Sequence, residues 1–131
     1  MRAMKIDHIG IWAHDIELLR DFYTKYLNME CGHKYTNPAK NFSSYFLSFG
    51  QGDTRIELMH IPEPESISDT AQLKGLAHIA VAVGSREKVN ALTEQLRNDG
   101  YAILGEPRVT GDGYYESVAA DPEGNRIEIT V

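Results

Sequence analysis

Cysteine is almost missing from the chain: Cys31 stands alone among 131 residues. No disulfide can form within it, and a reducing cytoplasm is the expected setting. Positive charge is also in deficit, with 13 Lys and Arg against 19 Asp and Glu and a formal net charge of −6. That balance speaks against nucleic acid or an anionic membrane as partner. No apolar run approaches the roughly 20 residues of a membrane span, and no apolar signal segment stands near the N-terminus. What is present is ordinary for a soluble globular domain, 42% hydrophobic and 24% charged, at a length that suits one domain with a real core.

The most informative feature is a phrase said twice. Arg55-Ile56-Glu57-Leu58 returns as Arg126-Ile127-Glu128-Ile129, an offset of 71 residues (126 − 55). His8-Ile9-Gly10-Ile11 returns as His78-Ile79-Ala80-Val81 at an offset of 70 (78 − 8). Recurrence at a near-constant spacing marks a repeated structural unit. Each copy holds one histidine and one glutamate that could bind a metal.

The two copies read in the same order. Met4 to Ala13 alternates as a strand. Asp15 is placed to cap a helix running to about Leu27, whose Leu19, Phe22, Tyr23 and Tyr26 share one face, with Asn28 as a left-handed stop. Glu30 to Tyr35, Ser43 to Phe49 and Thr54 to His60 complete a strand, a helix and three strands. A Pro- and acid-bearing linker covers residues 62–74. The second copy follows: a strand over Leu76 to Val83, and a helix capped by Ser85 with Val89, Leu92 and Leu96 buried and Gly100 ending it. Further strands begin at Ala102 and cover Tyr114 to Ala120 and Arg126 to Val131. The expected division is module 4–61, linker 62–74 and module 75–131, within a single domain.

Alternation fixes which side each residue faces. Ile56 and Leu58, with Ile127, Ile129 and Val131, are expected to pack against the helices. Glu57 and Glu128, and the two histidines beside their Ile and Val neighbours, then point away from them. A curved sheet with helices outside would gather that side into a cup. Two neutral imidazoles and two carboxylates suit a borderline divalent ion: Zn, Ni, Fe, Co or Mn. A lone strand histidine or an exposed strand glutamate is usually structural or merely solvated; the paired spacing is what points to metal. Cys31 and His33 sit two apart but read as packing. Tyr114 to Glu116 could line the cup or form cross-strand pairs. Arg55 and Arg126 could hold an anionic substrate or pair with an exposed acid.

The ordered set Asp7-His8-Ile9-Gly10-Ile11, Asp21-Phe22-Tyr23, Arg55-Ile56-Glu57-Leu58, Gly75-Leu76-Ala77-His78-Ile79-Ala80-Val81 and Asp121 through Glu128 resembles the glyoxalase, or vicinal oxygen chelate, superfamily. The resemblance covers nearly the whole chain. It implies an α+β fold, tandem βαβββ modules forming a curved, cup-like sheet with helices outside, and often a homodimer. It places one divalent metal ion on His8, Glu57, His78 and Glu128, the full His, Glu, His, Glu set of glyoxalase I. The contacts that hold glutathione in such enzymes are not matched: Gly10, Ile11 and Trp12 follow His8 where an Arg is expected, and Leu58 to Pro62 contains no Asn.

The expectation is therefore a metal-dependent lyase or isomerase. Its small-molecule substrate would chelate the ion through adjacent oxygens while a proton moves through an enediolate. Glu128 is the expected base, because it lies on the terminal strand beside Tyr114–Glu116, where the copies differ most; Glu57 is its pseudo-equivalent competitor. The alternative from another class is a non-catalytic protein that binds an antibiotic or metabolite in the same cup.

Overall fold

The computed structural model describes residues 8–62, 76, 78–110 and 113–131. The chain divides into two compact units, Met1–Ser66 and Ile67–Val131. The first holds β1 (His8–Trp12), α1 (Ile16–Leu27), β2 (Glu30–Cys31), β3 (Tyr35–Asn37), β4 (Phe42–Ser48) and β5 (Arg55–His60). Its sheet runs β1-β5-β4-β2, with β3 also paired to β4. Strands β1 and β5 are parallel, as a crossover through a helix requires, and the other pairs are antiparallel. The second unit holds β6 (Ile79–Ala82), α2 (Arg86–Asn98), β7 (Ile103–Val109), β8 (Tyr115–Ala120) and β9 (Arg126–Thr130), in the order β6-β9-β8-β7.

Local chemistry explains where the helices start and stop. Asp15 adopts extended backbone and its side chain accepts from Leu18 N, so α1 begins where its first free N–H groups find a partner. Asn28 ends α1 in the left-handed region at φ 54°, a conformation that asparagine tolerates better than most residues. Ser85 caps α2 through Lys88 N, and Gly100 follows at φ 93°. Helix α1 buries Leu19, Phe22, Tyr23 and Tyr26, and the sheet answers with Leu47, Ile56 and Leu58. In the second unit Val89 and Leu96 of α2 are buried, as are Val81, Ile127 and Ile129 of the sheet.

The architecture is α+β, two successive βαβββ units, as the repeat predicts. Three details differ. The strand expected over Glu30 to Tyr35 is broken into β2 and β3, which pair with opposite ends of β4. Strand β7 instead runs through Gly105 and Pro107, absorbing them as two register shifts against β8. On α2 the buried position is Thr93 rather than Leu92, which is only half-buried. Residues 4–7, 63–74 and 111–112, which carry the start of the first strand, nearly all of the expected linker and part of a turn, lie outside the described residues. Among the described residues no helix is long and apolar enough to cross a membrane.

Candidate metal centre

Paired strand residues share a face of the sheet, and along each strand the faces alternate. In the first unit the register sets His8 beside Arg55, Gly10 beside Glu57 and Trp12 beside Met59. Since Ile56 and Leu58 are buried on the helix side, these six residues belong to the opposite face. There His8 Nε2 comes within 3.7 Å of Glu57 Oε1. The second unit repeats the arrangement with Ala80 beside Glu128. His78, one residue ahead of β6, brings its Nε2 to 3.3 Å from Glu128 Oε1.

The structure thus brings the four candidates together two by two. Among the described residues, no group of three or more His, Cys, Asp or Glu side chains stands close enough to share an ion. Each pair has donors suited to a divalent metal, and its spacing is informative. Two ligands about 2.1 Å from one ion and roughly 90–110° apart stand about 3.0–3.4 Å from each other. The His78–Glu128 pair falls in that range and the His8–Glu57 pair lies just beyond it. The imidazoles are 41% and 42% exposed and the carboxylates 16% and 24%, so both pairs remain open to an incoming ion.

Several neighbours were not legible in the sequence. Phe46 pairs with Glu57 across β4 and β5 and meets the His8 ring edge-on at 5.3 Å. The Arg55 guanidinium lies over the Phe46 ring at 4.2 Å, a cation–π contact. The signal was the alternation of β4, unreadable without its register. In the second unit Tyr115 belongs to the helix side: its hydroxyl donates to Asn90 Oδ1 at 2.6 Å, and Arg86 lies over its ring. Glu116, opposite Thr130, shares the face of Glu128 and is only 9% exposed. Asp121 organises the turn that delivers β9, its carboxylate accepting from Glu123 N, Asn125 N and Asn125 Nδ2. The Cys31 thiol is pushed up by burial, which keeps it protonated and a poor metal ligand. His33 is exposed and lies outside the strands.

Comparison with known proteins bears on the family and the fold. The sequence matches the Glyoxalase/Bleomycin resistance protein/Dioxygenase superfamily over residues 5–129. Among curated proteins, none matches significantly. The glyoxalase family protein from Enterococcus faecalis superposes with a TM-score of 0.77 at 24% identity, covering 97% of both chains. The trypanothione-dependent glyoxalase I of Leishmania major gives 0.75 at 24%, covering 98% of this chain and 86% of the other. Glyoxalase I from Zea mays gives 0.80 at 24%, covering 96% of this chain but 44% of the maize chain, so this chain spans less than half of that enzyme. Identities at this level establish the fold, and the matched family extends over nearly every residue. The chain belongs to the Glyoxalase/Bleomycin resistance protein/Dioxygenase superfamily.

Proposed function

We propose that the chain is a glyoxalase-type lyase or isomerase. Its modules, 4–61 and 75–131, act as one domain whose His8, Glu57, His78 and Glu128 together hold one divalent metal ion. The observation that carries this reading is the doubled His–Glu pair, on the face away from the helix in both units. Either unit alone offers two ligands, so the set is completed by the other unit of the same chain or of a second copy in a homodimer. The lone Cys31 suits a cytoplasmic enzyme.

When bound, the ion supplies positive charge where a substrate oxygen becomes anionic. The chain's own groups do the rest. Glu128 accepts a proton from the substrate carbon and returns it to the neighbouring carbon, a general acid–base exchange by a single carboxylate. His78 Nε2, 3.3 Å away, would be the neighbouring ligand on the same ion. Glu57 has His8 beside it and Gly10 opposite, with the Met59 side chain leaning over Gly10.

Glu128→Gln keeps an oxygen ligand but removes the base. It is expected to leave metal content nearly unchanged while turnover of a substrate with adjacent oxygens falls by ~10²–10⁴-fold. Full turnover in Glu128→Gln would move the proton transfer to Glu57. Full metal occupancy without turnover of any such substrate by the wild type would favour a binding protein.

A further inference from the structure

The metal reading leaves unexplained a row of side chains on the same face of the first unit. Strand register places Tyr35, Ser44, Met59 and Trp12 side by side across β3, β4, β5 and β1. The next row, two residues along or roughly 6.6 Å away, is Phe46, Glu57 and Gly10. Phe42 closes the far side, meeting Trp12 at 6.3 Å and Tyr35 at 6.1 Å between ring centroids. Trp12 and Tyr35 are nevertheless 48% and 53% exposed. Large rings that touch one another yet remain half in water form an adhesive surface.

Within this frame lies Ser44, 1% exposed, whose hydroxyl oxygen is buried and has no hydrogen-bond partner among the described residues. A sealed hydroxyl without a partner is rare and calls for one from outside the chain. Its opposite neighbour Tyr45 has no such need: on the helix side its hydroxyl donates to Glu17 and accepts from Arg20. Met59, the register partner of Ser44, leans away over Gly10, its methyl carbon 2.8 Å from where a Cβ would stand, and its flexible thioether can re-pack at little cost.

We propose that this face is a subsite for the planar tail of the substrate: an aromatic ring lies against Trp12, Phe42 and Tyr35, and a hydroxyl on that ring pairs with Ser44. The oxygenated head then lies one to two rows away, at Glu57 and His8. This deepens the proposed function, on which it rests for the position of the head. Its ligand class is a small 2-oxo acid, or similar compound with adjacent oxygens, joined to a hydroxylated aromatic ring by a short linker. The shelf is absent from the second unit, where Ala80 and Ala82 stand at the positions of Gly10 and Trp12.

Trp12 is the only tryptophan, so its fluorescence reports on the shelf directly. The full-length protein is titrated with 2-oxobutanoate, 4-phenyl-2-oxobutanoate and 4-(4-hydroxyphenyl)-2-oxobutanoate, and affinities are confirmed by calorimetry. The phenyl compound is expected to bind about tenfold more tightly than 2-oxobutanoate and to change Trp12 emission. The hydroxylated ring is expected to bind more tightly still. Phe42→Ala should remove the ring preference, and Ser44→Ala only the gain from the hydroxyl. Equal affinities for the ringed and ringless acids would overturn the subsite. So would a preference that survives Phe42→Ala, a hydroxyl gain that survives Ser44→Ala, or no hydroxyl gain in the wild type. Trp12 emission that responds to protein concentration and to no ligand would overturn it in favour of a second copy covering the shelf. The metal reading fails separately, through metal content, which these titrations do not measure.

Discussion

Thr93 and Ser117 are both fully buried, and each explains the other. Thr93 Oγ1 donates to Val89 O at 2.6 Å, so the 2.7 Å contact between the two hydroxyls has Ser117 as donor. Thr93→Val keeps the shape but strands the Ser117 hydroxyl, and should cost ~1–3 kcal/mol in urea denaturation. The double variant Thr93→Val/Ser117→Ala should cost less than Thr93→Val alone; a greater loss would show that the pair is not what matters there. This is also where the sequence misleads. A helical stripe counted in hydrophobic residues selects Leu92, because a threonine satisfied by its own helix and one strand hydroxyl cannot be told from a solvated one without the strand. At the candidate centre the two His–Glu pairs were legible from their doubled spacing, whereas Phe46 and Ser44 were not, since their side depends on strand register.

Glu17 supports a pH prediction at the same scale. Lys34 donates to its carboxylate at 2.9 Å, Tyr45 at 2.8 Å, and Arg20 lies 3.0 Å away. The hydrogen bond from Lys34, foremost, holds the Glu17 carboxyl below its ordinary 4.5. A lowered carboxylate pKa means that the unfolded chain binds the proton first, so stability rises with pH across that window. The contribution is present above about 4.5 and lost as pH falls through the lowered value. Glu17→Gln should flatten that part of the acid limb of the stability–pH curve. An unchanged slope would show that water screens the cluster, of which Glu17 is 45% exposed.

Elements are set by their ends. Asp15 and Ser85 occupy equivalent caps, each accepting from the backbone N–H three residues on, at 3.0 and 3.2 Å. Asp15→Ala and Ser85→Ala should each cost ~0.5–2 kcal/mol by urea denaturation, with the fold retained. No loss in either would mean that water replaces the cap at no cost. Helices were the most legible part of the fold, because cap, buried stripe and stop are local signals. Asp15, Asn28, Ser85 and Gly100 all stand where those signals place them. Strands were less so. The break between β2 and β3, and the passage of β7 through Gly105 and Pro107, are decided by the neighbouring strands β4 and β8 rather than by the residues themselves.

At the scale of the whole chain, the proposed function draws on the same repeat as the fold. Duplication copies a parallel pair of strands, and each copy carries a histidine and a glutamate onto the face away from its helix. Two ligands bind a divalent ion weakly; four make a centre that persists through purification. The central claim is that both pairs serve one ion. Elemental analysis of protein purified without a nickel column, beside His8→Ala and His78→Ala, tests this most directly. One divalent ion per chain is predicted for the wild type, with nearly complete loss in each single variant. An ion retained at full occupancy in either variant, or a wild type that takes up none when zinc, nickel, iron, cobalt and manganese are supplied, would contradict it.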